Sequence, residues 1–271
     1  MPAATLIVVP TFNEADNVAD LVRSVRAHLP AAHLLVVDDA SPDGTAAIVK
    51  RLAANDEQVH LLERPSKLGI GSAYVAGFGW GLARDYERFF EMDADLSHDP
   101  KALPAFVAAL EAGAEVVVGS RRVPGGRVRG WGPLRHALSK GGSLYSRLVL
   151  GSSIRDMTSG FKAYTRRALE VIGPSTLRSN GYAFQVETTY RALLNGLLVV
   201  EIPILFVDRR AGASKMSWHE IGEAVIAVWR MRCNAAAASD RAESPVYSSA
   251  YSKARTLSRC KRERRATRSR K

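Results

Sequence analysis

Three groups of acidic residues stand where short apolar runs end: Asn13-Glu14 beyond Thr5–Val9, Asp38-Asp39 beyond Leu34–Val37, and Asp93 and Asp95 beyond Phe89–Met92. Side chains two residues apart on extended backbone point the same way, so Asp93 and Asp95 present hard oxygen donors together. Carboxylates gathered in one crevice raise one another's pKa and repel a phosphorylated ligand unless cations or hydrogen-bond donors balance them. A divalent ion, magnesium or manganese, meets that need, because it takes one or two carboxylates and leaves its remaining positions to a diphosphate. An Asp-x-Asp pair also caps helices, although Asp99-Pro100 is the better cap, and Asp38-Asp39 followed by Ser41-Pro42-Asp43-Gly44 also reads as a turn. Both pairs of readings stay open on spacing alone.

The elements that must carry these groups alternate β-branched runs with amphipathic stretches, the pattern of parallel strands joined by crossover helices. Strands are predicted at Thr5–Val9, Leu34–Val37, Val59–Leu62, Phe89–Met92 and Val116–Val118, with helices at Thr45–Ala54 and Ser72–Ala83. Val18, Leu21, Val22, Val25 and Leu29 recur at helical spacing with Asn13 placed to cap them, and Leu103, Phe106, Val107 and Leu110 mark a further helix. In such open α/β sheets ligands collect beyond the carboxyl ends of the strands, where the acidic groups lie. Past Gly119, the pairs Gly125-Gly126 and Gly130-Trp131-Gly132-Pro133 predict a loop, then a helix over Leu134–Leu150, and this half is expected to build the acceptor side. Glu220, Ile221, Glu223, Ala224, Val225, Val228 and Trp229 read as one amphipathic helix, suited to core packing or to a membrane surface.

The net charge of +11 divides unevenly: residues 234–271 hold 11 Lys and Arg against 3 Asp and Glu, net +8, which leaves +3 for residues 1–233. The body is therefore close to neutral, and residues 253–271 have no aromatic residues interleaved among their arginines to stack on bases, which argues against a nucleic-acid module. Residues 1–233 read as one catalytic domain and 234–271, rich in Ala, Ser and Arg, as a basic disordered tail that is either solvated or drawn to an anionic lipid surface. Cys233 and Cys260 fit neither a disulfide framework nor zinc spacing, and a reducing cytoplasm is the simpler expectation. The longest apolar stretch, Leu193–Phe206, has 14 residues and is interrupted by Asn195, Gly196, Glu201 and Pro203, short of the ~20 needed to cross a bilayer. No secretory signal is read in the first residues.

Neither a Gly-x-x-x-x-Gly-Lys-[Ser/Thr] loop nor a Gly-x-Gly-x-x-Gly turn follows the first strand, so a nucleotide must be held by other means. Gly69-Ile70-Gly71 and Gly77, Gly79 and Gly81 are better explained by close helix packing. His98, His136 and His219 have nothing beside them that requires a base.

Several segments together resemble the dolichol-phosphate (polyprenol-phosphate) mannosyltransferases of glycosyltransferase family 2, over about residues 5–232. They are Val9-Pro10-Thr11-Phe12-Asn13-Glu14, Val37-Asp38-Asp39-Ala40-Ser41-Pro42-Asp43-Gly44-Thr45, Met92-Asp93-Ala94-Asp95-Leu96-Ser97-His98 and Gly119-Ser120-Arg121-Arg122-Val123. Asp156-Met157-Thr158-Ser159-Gly160-Phe161, Gly181-Tyr182-Ala183-Phe184-Gln185 and Phe206-Val207-Asp208-Arg209-Arg210 through Lys215-Met216 add to them, and these later segments resemble the mannose-specific members. The resemblance implies a GT-A type α/β fold, a Rossmann-like, mostly parallel sheet flanked by helices. It places Pro10, Phe12, Glu14, Val37 and Asp39 at the guanosine of GDP-mannose, with Phe12 where tyrosine is often found. Asp93, Ala94 and Asp95 would hold ribose, metal and diphosphate, with Ser97 beside the metal, and Arg209 and Lys215 would neutralise the donor. Arg121, Arg135 and Ser139 match positions that receive the acceptor phosphate.

The implied reaction is inverting transfer of mannose to dolichyl or polyprenyl phosphate, with Asp93, Asp95 and Arg121 as the catalytic set. The implied setting is the cytoplasmic face of a membrane, contacted peripherally and with or without a separate anchor protein. A related transferase using UDP-glucose or a soluble acceptor, and a basic membrane- or nucleic-acid-binding module, are the alternatives.

Overall fold

The computed structural model describes residues 4–177, 179–208 and 218–242. Its centre is a seven-stranded sheet in the order β3-β2-β1-β4-β7-β5-β8. These strands are β1 Thr5–Thr11, β2 His33–Asp38, β3 Val59–Glu63, β4 Arg88–Glu91, β5 Val116–Ser120, β7 Lys162–Thr165 and β8 Val199–Pro203. Six run in one direction; β7 is antiparallel to both its neighbours, so the sheet is mostly rather than wholly parallel. A second, two-stranded parallel ribbon joins β6 Arg127–Arg129 to β9 Leu205–Val207.

Both faces of the sheet are covered, which is why its strands read as unbroken apolar runs. Successive residues of β1 alternate: Ile7 and Val9 enter one core with Val18, Leu21 and Val49, whereas Leu6 and Val8 enter the other with Tyr74, Phe78 and Phe184. The first core is closed by α1 Val18–His28, α2 Thr45–Ala53 and α4 Leu103–Glu111; the second by α3 Ile70–Leu82, α6 Arg166–Ile172 and α7 Gly181–Leu194. From β1 the chain goes out to β2 and β3, then returns to place β4 on the other side of β1. The carboxyl ends of β1 and β4 therefore flank a topological switch point, where crossovers diverge and a crevice opens.

Two readings of the sequence need correction. Asn13 does not cap α1: its backbone is left-handed, its N–H donates to Ser41 Oγ at 3.0 Å, and the capping position is Asn17. The reason is local, since Glu14 O takes the N–H groups of Asn17 and Val18 and the helix starts one turn later. Nor does order end at Asn234. Helix α8 runs Trp218–Ala242, through Ala235–Ala238, residues of the highest helix propensity, and the contact boundary between the chain's two units falls after Val228. Residues 243–271, and with them Cys260, lie outside the described residues. Asp99 does cap as expected, its side chain accepting from Lys101 N at 3.0 Å at the start of a 3-10 turn.

The glycines of α3 are a packing device. A Cβ at Gly77 would lie 2.3 Å from Val8 Cγ1, and one at Gly81 would lie 2.5 Å from both Leu6 Cδ2 and Phe89 Cε1, whereas one at Gly79 would meet nothing within 4 Å. Gly77→Ala should therefore destabilise the fold by ~1–3 kcal/mol through overpacking, and Gly79→Ala should stabilise it by ~0.5–1 kcal/mol through helix propensity. Urea unfolding of the two variants checks the difference in sign.

Candidate active site

Among the described residues, three non-glycine residues have left-handed backbone, Asn13 (φ 62°), Ala40 (φ 55°) and Leu96 (φ 59°), and each lies beyond the carboxyl end of β1, β2 or β4. Such conformations cost about 1–3 kcal/mol each and persist where surroundings hold them. The surroundings here are hydrogen bonds between the loops: Asn13 N to Ser41 Oγ, Glu14 N to Thr45 Oγ1 at 3.0 Å, and Ala15 N to Asp43 Oδ2 at 2.9 Å. The turns after β1 and β2 are thus laced into one rim.

The neighbouring acids Asp38 and Asp39 divide their work. Asp38 is buried and accepts from Thr11 Oγ1 at 2.8 Å, Ser41 N at 2.9 Å and Ser41 Oγ at 2.6 Å, which makes it the turn-builder. Asp39 faces the crevice, but its side chain is only 6% exposed. Its Oδ1 is paired with Arg64, and its Oδ2 accepts from Leu68 N at 3.0 Å and Gly69 N at 3.3 Å. Arg64 was not foreseen; it fixes both Asp39 and the segment running to Gly69. Next to them Lys67 Nζ stands 4.2 Å from the centre of the Phe12 ring, so the aromatic residue at the rim carries a cation on its face.

Asp93 and Asp95 follow β4. Asp93 Oδ1 accepts from Tyr74 OH at 3.3 Å, and Asp95 Oδ1 accepts from Ser97 N at 3.0 Å. His98 is buried, stacks on Phe161 and accepts the Asp93 N–H at Nδ1, 3.1 Å, which fixes that nitrogen as the unprotonated one. Burial pushes its pKa down to about 4 against the opposing charge of Asp95, so His98 is a neutral support for the Asp93 backbone. Ser97 Oγ is buried with no hydrogen-bond partner among the described residues, and Ser97 lines the same cavity as the acids. Among the described residues no three His, Cys, Asp or Glu side chains converge as a ready metal cage. The hard oxygens of Asp93, Asp95 and Ser97 nevertheless fit a magnesium or manganese ion that takes its other positions from a ligand's phosphates.

The opposite wall is cationic. Arg121 and Asp156 form a buried, bidentate pair, Nε to Oδ2 and Nη2 to Oδ1, both 2.7 Å, with Arg121 N adding a third bond to Oδ2 at 2.9 Å. Burial alone would raise the Asp156 pKa; the Arg121 charge and hydrogen bonds outweigh it and hold the carboxyl below the ordinary range. Arg121 Nη2 also reaches Thr158 Oγ1 at 3.1 Å, so three of its five side-chain donors are engaged within the protein, and Arg121 borders the cavity. Arg135 Nη1 is 2.6 Å from Asp208 Oδ1, with its guanidinium 4.5 Å from the Trp131 ring. Ser139 Oγ accepts from Arg122 Nη2 at 2.7 Å.

One cavity of about 640 Å³ brings together Pro10, Phe12, Glu14, Asp39, Asp93, Ala94, Asp95, Ser97, Arg121, Arg135 and Ser139. Val37 is the exception: it is fully buried in the core against α3 and does not border the cavity. Its β-branched side chain belongs to a central strand and packs into the core with Ala73, Tyr74 and Phe78 of α3. Arg209 and Lys215 lie outside the described residues.

Beneath the cavity floor sits a polar network that sequence reading missed. Glu91 and Lys162 are register partners on β4 and β7 and both are fully buried. Lys162 Nζ donates to Gln185 O at 2.6 Å and Thr188 Oγ1 at 2.8 Å, and Tyr164 OH donates to Glu91 Oε1 at 2.7 Å. Burial lowers the Lys162 pKa to about 8, with Glu91 opposing, and burial raises that of Glu91. These bonds tie α7, which carries Tyr182 and Gln185 along the cavity, to the centre of the sheet.

A strand-end acid cluster facing arginines across a switch-point crevice is the architecture of a nucleotide-sugar transferase, and the chain belongs to glycosyl transferase family 2, whose model matches residues 6–173. It is 49% identical over 231 residues to the polyprenol monophosphomannose synthase of Mycolicibacterium smegmatis, a match spanning 84% of this chain and 87% of that one. It is 46% identical over 225 residues to the undecaprenyl-phosphate mannosyltransferase of Micrococcus luteus, spanning 83% and 92%. Among solved structures, the glucosyl-3-phosphoglycerate synthase of Mycobacterium tuberculosis, in complex with Mn2+, UDP and glucosyl-3-phosphoglycerate, has a TM-score of 0.61 at 19% identity, over 86% of this chain and 81% of that one. That likeness carries the fold, which is GT-A.

The buried pair supplies a test. Asp156→Ala, which strands Arg121 without its counter-ion, should cost about 3–5 kcal/mol in thermal or urea unfolding. A carboxylate whose folded pKa is lowered stabilises the fold fully above its unfolded value, and that stability disappears as the pH falls toward the folded value. The native chain should therefore lose stability below about pH 4 more steeply than Asp156→Asn does, measured as the slope of unfolding free energy against pH.

Proposed function

We propose that this chain transfers mannose from GDP-mannose to the phosphate of a dolichyl or polyprenyl lipid, with inversion. The single observation that carries this reading is the shared cavity, which Asp93, Asp95, Arg121 and Arg135 line together. The named activities of the relatives at 49% and 46% identity support it. Residues 1–233 would be the catalytic domain.

A bound magnesium or manganese ion, held by Asp93, Asp95 and Ser97, would offset the charge that develops on the departing diphosphate. Phe12 and Lys67 form the rim at which the guanine would rest, while Pro10 and Glu14 line the approach and Ala94, having no bulk, leaves room for the ribose. Asp39 reaches a base only through lone pairs left over from Arg64 and the 68–69 backbone, and Val37 acts from beneath as core. Arg209 and Lys215 would add positive charge at the diphosphate.

Arg121, with Arg135 and Ser139, would receive the acceptor phosphate. Asp156 holds the Arg121 guanidinium through two bonds, so little ordering would be left for the bound state. A phosphate monoester has its second pKa near ~6 and is largely dianionic at neutral pH, so no side chain need remove a proton. An acceptor oxygen forms the new bond to the anomeric carbon as the bond to the β-phosphate breaks, and the electron pair leaves on GDP. An α-linked donor thereby gives a β-linked mannosyl phosphate. No described helix is long and apolar enough to cross a membrane, and contact with the lipid is assigned to the membrane surface, on its cytoplasmic face.

The test is incubation with labelled GDP-mannose, a divalent ion and polyprenyl phosphate, followed by extraction of the organic phase. Label should partition there, Asp95→Ala should lower transfer by about 100-fold or more with an unchanged circular dichroism spectrum, and UDP-glucose should be a poor donor. Full activity of Asp95→Ala, or label moving only from UDP-glucose, would overturn the assignment.

A further inference from the structure

Helix α5, Pro133–Leu150, has two working faces. Ser139, Gly142, Tyr145 and Ser146 line the catalytic cavity, and the other side borders a second, smaller hollow of about 180 Å³. Four of the six residues around that hollow are cations, Arg122, Lys140, Arg147 and Arg155; the others are Ser143 and Leu144, and none is acidic.

The nearest carboxylates are engaged elsewhere. Asp156 is paired with Arg121, and Glu201 accepts the backbone N–H groups of Arg155 and Asp156 at 2.8 and 2.9 Å. Arg122 Nε and Arg147 Nε are both buried and have no hydrogen-bond partner. A buried guanidinium N–H left unpaired costs free energy, and two of them at one hollow call for an acceptor with several oxygens. Paired donors on planar guanidinium groups match phosphate geometry.

The surface around the hollow adds a second feature. Lys140, Leu144 and Leu148 follow one another at intervals of four along α5, and Leu144 and Leu148 are 53% and 73% exposed. Exposed leucines beside a basic hollow form the mixed surface that suits the boundary between lipid headgroups and acyl chains.

We propose that this hollow binds the phosphate of an anionic phospholipid headgroup that is not the sugar acceptor, and that it seats the outer face of α5 on the bilayer. The inference is independent of which sugar is transferred, because the vesicles that test it contain no polyprenyl phosphate. Arg122 spans the two sites, bordering the hollow while its Nη2 holds Ser139 Oγ. A seated headgroup would therefore keep the acceptor side of the cavity facing the membrane.

The full chain is sedimented with phosphatidylcholine vesicles with and without phosphatidylglycerol, at fixed ionic strength. Lys140→Gln/Arg155→Gln removes two exposed cations of the hollow. Arg51→Gln/Lys101→Gln removes two exposed cations from α2 and the turn before α4, as a charge-matched control. The first pair should weaken binding to the anionic vesicles by about tenfold or more and the control by less than about twofold. A second variant, Arg147→Gln, with its unfolding midpoint measured alongside, should behave as the first pair does. Glycerol 1-phosphate added to the native chain should abolish most of the difference, whereas sodium chloride at equal ionic strength should not. Equal losses in the hollow and control variants, or a difference indifferent to glycerol 1-phosphate, would overturn the proposal.

Discussion

Carboxylates repel phosphates, and this chain nevertheless lines one cavity with Asp39, Asp93 and Asp95 together with Arg121 and Arg135, arginines suited to phosphate. Everything about the site follows from how that conflict is resolved. Asp39 is neutralised within the protein by Arg64 and two backbone N–H groups. On the far wall, Arg121 and Arg135 are each tied to an acid of their own, Asp156 and Asp208. Asp93 Oδ1 accepts from a tyrosine hydroxyl and Asp95 Oδ1 from a backbone N–H, beside the Ser97 hydroxyl, which has no hydrogen-bond partner among the described residues. In the proposed reaction a divalent ion would balance the charge of the bound diphosphate.

The fold makes this arrangement rigid by spending strain at the strand ends. Left-handed Asn13, Ala40 and Leu96 turn the chain sharply after β1, β2 and β4, and hydrogen bonds from one loop to the next hold the turns in place. Below them, the close approach of α3 through Gly77 and Gly81 brings Tyr74 within reach of Asp93. The buried Glu91–Lys162–Tyr164 network ties α7 to the sheet in the same way. Replacing such a network by apolar residues is often neutral for stability, so positional specificity is the better explanation for burying it.

Much of this was legible in the sequence because the signals were local. Short β-branched runs and helical spacing located the first strands and helices, and strand-end acids in an α/β pattern pointed to one crevice, which Asp39, Asp93 and Asp95 line together with Arg121, Arg135 and Ser139, named through the family resemblance. What was not legible depends on pairing between distant segments. Arg64 reads as one more charge after β3, and nothing local shows that it meets Asp39. The Arg121–Asp156 pair spans 35 residues and the Glu91–Tyr164 bond 73. A charge inside an apolar run, as in Phe89-Phe90-Glu91-Met92, was the one available hint. Asn13 misled because a capping residue type stood near a helix start while its backbone was committed to the rim.

The most direct measurement of the central claim is Mn2+ binding by the full chain, followed through the electron paramagnetic resonance signal of the free ion, with and without GDP. Two carboxylates and a hydroxyl make an incomplete cage, so GDP should tighten Mn2+ binding by about tenfold or more, and Asp93→Asn/Asp95→Asn should abolish that gain. Mn2+ affinity that is unchanged by GDP, or a gain that survives loss of both carboxylates, would contradict it.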